Sequence, residues 1–177
     1  ATARTAVVLG EPEVTSSSLT AFRGIWPALL TPLDADLNID HARFAAHVKS
    51  LLQLGAGGVT PFGTTGEGPS FSVAERREAI DALIANGVPA DRILVSTSCT
   101  ALPETLELTL HALEVGAHGC LMLPPFFLKG VSDQGIIDCY RWIIDKAAHP
   151  KLRMYLYHIP QVTGVGLSHH VIRTLKD

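Results

Sequence analysis

From Phe22 onward, short apolar runs alternate with longer stretches in which apolar residues recur at helical spacing. The runs at 25–30, 58–62, 92–97, 119–123 and 152–157 are apolar nearly throughout. Continuous rather than alternating apolar character is the pattern of parallel strands covered on both faces. Between the runs, Phe44, Val48, Leu51 and Leu52 stripe a first helix, with Asp40 as its N-cap and Gly55 just past its end. A second helix opens with the capping box Ser72-Val73-Ala74-Glu75 and closes near Gly87. Leu102, Leu106, Leu110 and Leu113 are expected to form the buried stripe of a third, which ends at Gly116. Ile136, Ile137, Tyr140, Ile143 and Ile144 stripe a fourth before Pro150, and a fifth starts near Ser168.

The runs start at 25, 58, 92, 119 and 152, so the β-α repeat is 33, 34, 27 and 33 residues long. An eight-fold barrel of about 250 residues spends roughly 31 on each unit, and a doubly wound sheet uses similar units in smaller number. Five units therefore read as an open sheet or as the first five-eighths of a barrel. In the barrel case the strands are successive neighbours, and the apolar edges of the first and fifth need covering by other chain segments or copies. Residues 1–21 hold only the short apolar stretch Ala6-Val7-Val8-Leu9 and the loop-like Ser16-Ser17-Ser18. They are expected as a flexible leader, with 22–177 as one domain.

Composition narrows the partners. With 47% hydrophobic and 18% charged residues, the 177-residue chain can bury a single core without disulfides. Fourteen basic against 17 acidic residues give a net charge of -3, so no basic field invites nucleic acid. Cys99, Cys120 and Cys139 form no C-x-x-C pair, which fits reduced thiols of a cytoplasmic protein packed as small hydrophobes. No apolar run reaches the 18 or more residues of a membrane span, so no membrane partner is expected. The eight histidines show no metal-ligand spacing, and no metal site is expected.

In either architecture, ligands sit at the C-terminal ends of the strands. The loop after the second run reads Gly63-Thr64-Thr65-Gly66-Glu67-Gly68. Its glycines, backbone N–H groups and two hydroxyls could form a pocket for a carboxylate, or simply a turn ahead of a capped helix. It is neither a Walker loop nor G-x-G-x-x-G. Glu67 is expected to favour the following helix N-terminus through the dipole. On the last run, Tyr155 and Tyr157 point to one face and Leu156 and His158 to the other. Tyr157 at the strand end could carry protons, or be there because aromatics favour strands. Ser96-Thr97-Ser98-Cys99-Thr100 and Pro124-Pro125-Phe126-Phe127 would add hydroxyls and an apolar wall.

Together, Thr31-Pro32, Gly63-Thr64-Thr65-Gly66-Glu67, Pro125-Phe126-Phe127 and Tyr157-His158-Ile159-Pro160 with Thr163-Gly164 resemble, in order, the dihydrodipicolinate synthase and N-acetylneuraminate lyase family. The resemblance implies a (β/α)8 TIM barrel of the α/β class, of which this chain covers roughly the first five units. It implies an enzyme that forms a Schiff base between a lysine and pyruvate or a related 2-keto acid, then catalyses aldol cleavage, condensation or dehydration. Thr64 and Tyr157 match its catalytic proton carriers, and Gly63, Thr64 and Thr65 its substrate-binding turn. No cofactor is implied, and a homo-oligomer, dimer or tetramer, is.

Three positions depart from the pattern. The family's imine lysine lies two dozen or more residues beyond the tyrosine, whereas Asp177 is twenty past Tyr157. Lys176 falls in the helix before that strand, so this chain alone is expected to be inactive. Phe127 stands where many members carry a second relay tyrosine, and Val162 where the synthases carry an arginine; the tyrosine motif is nearer the neuraminate lyase version. Two other readings keep the threonine pocket or the sheet without the chemistry: a keto-acid-binding or regulatory protein lacking the lysine, and an open doubly wound binding domain.

Overall fold

The computed structural model describes Val8–Leu9 and residues 23–176. The strands are β1 (Val8–Leu9), β2 (Leu94–Ser96), β3 (Gly119–Met122) and β4 (Met154–Leu156). The helices are α1 (His41–Gln53), α2 (Val73–Ala85), α3 (Leu102–Glu114), α4 (Asp133–Ala147), α5 (Pro160–Thr163) and α6 (His169–Lys176). β2, β3 and β4 are parallel neighbours, with Val95 opposite Cys120 and Leu121 opposite Tyr155. The first two apolar runs continue the parallel order through the bridges Ala28–Thr60 and Val59–Ile93. All five runs thus lie side by side in chain order, as a segment of a barrel wall.

The first two runs are bridges rather than ladders for a covalent reason. Pro27 and Pro61 lack an amide hydrogen and enter the sheet only as acceptors, from Thr60 N at 2.9 Å and Ser96 N at 3.2 Å. Of the segment expected as a leader, Val8–Leu9 pair antiparallel with β4, Val8 opposite Tyr155 and Leu9 opposite Met154. They cover the β4 edge that the sequence left in need of a partner. The rest of 1–21 lies outside the described residues.

The expected caps are in place. The Asp40 carboxylate accepts from Arg43 N at 2.8 Å, and Ser72 and Glu75 form the reciprocal capping box of α2. α4 buries Ile136, Ile137, Tyr140 and Ile143 as its spacing predicts, with the Tyr140 hydroxyl donating to the Met122 carbonyl at 2.8 Å. α3 differs. Its buried residues are Thr105, Leu108, Thr109, His111 and Ala112, while Leu110 is exposed and Leu102 and Leu106 only flank the core. The polar members of that face are satisfied locally: Thr109 donates to the Thr105 carbonyl at 2.8 Å, and the His111 ring meets the Asp81 carboxylate of α2 at 2.8 Å. Satisfied hydroxyls and imidazole can be buried where a purely apolar stripe would be expected.

Alternation along the strands separates two apolar layers. Val95, Cys120, Met122, Met154 and Leu156 face the helices and join the main core with Phe44, Ile80, Leu83 and Ile137. Leu94, Leu121 and Tyr155 face the other way, packed with Trp26 and Tyr157. Tyr155 and Tyr157 thus share one face, as expected from their spacing, and that face is the inner one.

Candidate active site

At the C-terminal ends of the strands lies a cavity of about 230 Å3. Gly63, Thr64 and Glu67 line it from one loop, Ser96 and Ser98 from the end of β2, and Tyr157 from the end of β4. Phe62, Leu123, Phe126 and Val162 give it an apolar wall.

The turn carrying Thr64 is held from several sides. Phe62, just before it, has a left-handed backbone (φ 59°), a conformation that costs a non-glycine residue ~1–3 kcal/mol. The surroundings hold it there: its ring is buried, edge-on to Phe44 and Phe71 at centroid distances of 6.0 and 5.9 Å. Thr31, from the first run's loop, donates its hydroxyl to the Gly66 carbonyl at 2.7 Å. Gly68 closes the turn, with its N–H on the Gly63 carbonyl, and a Cβ there would fall 2.0 Å from the Phe62 carbonyl oxygen. Only glycine fits that approach.

Tyr157 is fixed by its backbone, whose N–H donates to the Met122 carbonyl of β3 at 2.8 Å. Its hydroxyl lies 3.0 Å from Thr64 Oγ1, a hydrogen bond between residues 93 apart in the chain. Gly63, Thr64 and Tyr157 thus meet in one cavity. Thr65 does not join them: it is exposed and lies outside the lining. Glu67 stands at the N-terminus of a three-residue 3-10 helix, Gly68–Ser70, rather than at that of α2. It makes no capping bond, adopts a left-handed backbone (φ 52°) and lies against the cavity, while α2 starts at Val73 with its own cap. Phe127 is 74% exposed and also outside the lining.

Two cations that the sequence analysis did not single out tie the site together through backbone oxygens. Arg76 of α2, only 2% exposed, donates to the carbonyls of Ser96 and Ser98 and, at 3.3 Å, to the Cys99 Sγ. It thereby fixes the chain carrying both serines, and the Ser98 hydroxyl accepts from Leu123 N at 2.8 Å. Burial pulls the Arg76 guanidinium below its ordinary value and pushes the Cys99 thiol up. Lys129 donates to the carbonyls of Phe126 and Thr163. In sequence both cations look like surface charge, because a carbonyl acceptor leaves no mark on the residue that supplies it.

Cys99, Cys120 and Cys139 are free, and burial pushes the Cys120 thiol up to about 12. Among the described residues, no group of three or more His, Cys, Asp or Glu is placed to hold a metal, and no helix is long and apolar enough to cross a membrane.

The cavity lies at the C-terminal edge of a parallel α/β sheet, the face at which barrel folds carry their sites. The chain belongs to the dihydrodipicolinate synthetase family, whose profile matches residues 21–177. It is 38% identical over 151 residues to an uncharacterized DapA-like lyase of Chloroflexus aurantiacus, covering 85% of this chain and 50% of that protein. It is 34% identical over 147 residues to the N-acetylneuraminate lyase of Homo sapiens, covering 82% and 45%. Among solved structures it is similar to YagE, an E. coli K12 prophage protein of the dihydrodipicolinic acid synthase family in complex with pyruvate. That match has a TM-score of 0.78 and 30% identity, covering 88% of this chain and 51% of YagE. The chain spans about half the length of the curated relatives it matches. The family resemblance read from the loops is borne out.

Proposed function

We propose that the protein of which these residues form part is a class I lyase that joins a lysine to pyruvate or a related 2-keto acid as a Schiff base. It then makes or breaks a carbon–carbon or carbon–oxygen bond next to the imine carbon. The observation that carries this reading is the 3.0 Å contact between Thr64 and Tyr157 inside the cavity. Imine formation adds the amine to the keto carbon to give a carbinolamine. Collapse of that intermediate to imine and water requires a proton on the leaving hydroxyl. Tyr157 can hand over that proton and be resupplied through Thr64, a relay of two hydroxyls that needs no metal. Gly63 and Thr64 line the place for the carboxylate, with Thr65 available from the rim of the same turn. Phe127 supplies no hydroxyl to this relay.

Lys49, Lys129, Lys146, Lys151 and Lys176 are all exposed, and none lines the cavity. None of them is therefore placed to attack a keto acid held in the cavity. The reading therefore takes the imine nitrogen from a part of the protein outside these residues. It also includes a complete eight-fold barrel, a cytoplasmic homo-oligomer and, with Val162 in place of the synthases' arginine, an acceptor side nearer the neuraminate lyases. Borohydride reduction in the presence of pyruvate tests it. The full-length protein should gain a stable mass on one lysine outside the described residues, and this chain alone should gain none. Trapping on any of the five lysines above would force a different active site, and no trapping by the full-length protein would leave a keto-acid binder without imine chemistry.

A further inference from the structure

The loop after β3 leaves the sheet with Phe126 against the cavity and Phe127 and Leu128 exposed at 74% and 65%. One exposed residue later, Lys129 reaches back to the Phe126 carbonyl and across to the Thr163 carbonyl, 34 residues on in the chain. Among the described residues it makes no ion pair, so its ammonium serves those two oxygens. The far anchor is rigid. The Thr163 side chain is 2% exposed and its hydroxyl donates to the Val165 carbonyl at 2.8 Å and accepts from Val165 N at 3.1 Å. The lysine stem lies along Gly164, whose left-handed backbone (φ 66°) terminates α5 and where a Cβ would stand 3.5 Å from Lys129 Cδ, Cε and Nζ.

We infer that Lys129 is a positioning residue: its ammonium straps the loop after β3 to α5 and so sets the separation of the Phe126 wall from the Val162 and Thr163 wall of the cavity. This rests on the keto-acid reading for its substrate, but not for the strap itself. Charged hydrogen bonds are the strong ones, and here two of them join the loop after β3 to α5. The lysine touches neither the cavity nor the Thr64–Tyr157 pair, so its removal should loosen substrate binding and leave the proton relay intact.

The test compares full-length protein with Lys129→Met, which keeps the stem and loses the donors, and with Lys129→Arg, whose guanidinium can still reach two carbonyls. The probe is pyruvate with borohydride, read as half-saturating pyruvate and maximal trapping rate. Lys129→Met should raise the half-saturating concentration about tenfold, from two charged hydrogen bonds lost, with the maximal rate unchanged. Lys129→Arg should restore it. Amide exchange supplies the second arm: the Thr163 and Gly164 amides should lose protection in Lys129→Met only. An unchanged half-saturation in Lys129→Met, or a fall confined to the maximal rate, overturns the positioning role. Were no version of the protein to trap pyruvate, the keto-acid reading would fail by itself. The strap would then be upheld by the loss of exchange protection in Lys129→Met and overturned by protection equal to that of the parent.

Discussion

The two sides of the sheet are built on different principles. The helix-facing side is a continuous apolar layer in which Phe44, Ile80, Leu83, Ile93 and Ile137 are essentially inaccessible. Among the described residues, the buried apolar cluster of the inner side is the smaller one, Leu94, Leu121 and Tyr155, and this side carries hydroxyls, with Tyr155 on His118 at 2.8 Å and Tyr157 on Thr64 at 3.0 Å. The first side supplies most of the apolar burial that offsets chain entropy. The second is left free to hold polar groups at fixed separations, a division that the two-residue alternation of strands makes possible.

Cutting into the helix-facing layer should have the largest effect. Phe44→Ala is expected to lower stability by ~3–5 kcal/mol, because the ring is wholly buried and packs on Phe62. Urea unfolding of the full-length protein measures it, and a loss below ~1 kcal/mol would mean that this layer is not the stabilising one. Tyr157→Phe on the inner side should do the reverse. Turnover of the full-length enzyme should fall by about 100-fold or more, with KM for the keto acid and urea stability little changed. A rise in KM with kcat retained would make Tyr157 a binding residue instead.

A smaller effect comes from His118, whose ring is tilted 49° against that of Trp26 at a centroid distance of 4.6 Å and bonded to Tyr155. Burial, with the charge of Arg153 second, holds its ring below the ordinary histidine value of 6.5. Below that value the unfolded chain takes up a proton that the folded chain resists, so this group's contribution is present above about pH 6.5 and is lost as pH falls. Stability measured from pH 7.5 to 5.5 should decline, and His118→Gln should flatten the decline. The same slope in the variant would place the proton uptake elsewhere.

Much of this division was legible in the sequence. Unbroken apolar runs at a thirty-residue period gave parallel order, Asp40 and Ser72 gave two helix starts, and strand alternation put Tyr155 and Tyr157 on one face. The loop motifs brought Thr64 and Tyr157 together across 93 residues. What escaped depends on partners that a sequence does not display. α3 buries threonines and a histidine because nearby acceptors satisfy them. Arg76 and Lys129 bind carbonyls, and every residue has one. Thr65 differs from Thr64 only in where a strained turn aims it. Val8–Leu9 pair through backbone on an edge that apolar patterning alone cannot assign.

In the proposed reaction Thr64 and Tyr157 act as one proton-carrying unit. A double-mutant cycle on the full-length protein tests it most directly, using the rate of pyruvate trapping by borohydride in Thr64→Val, Tyr157→Phe and the combined variant. If the 3.0 Å contact is the working path, either change breaks it, and the combined variant should be about as slow as the slower single one. Independent, multiplying losses in the combined variant would contradict the account.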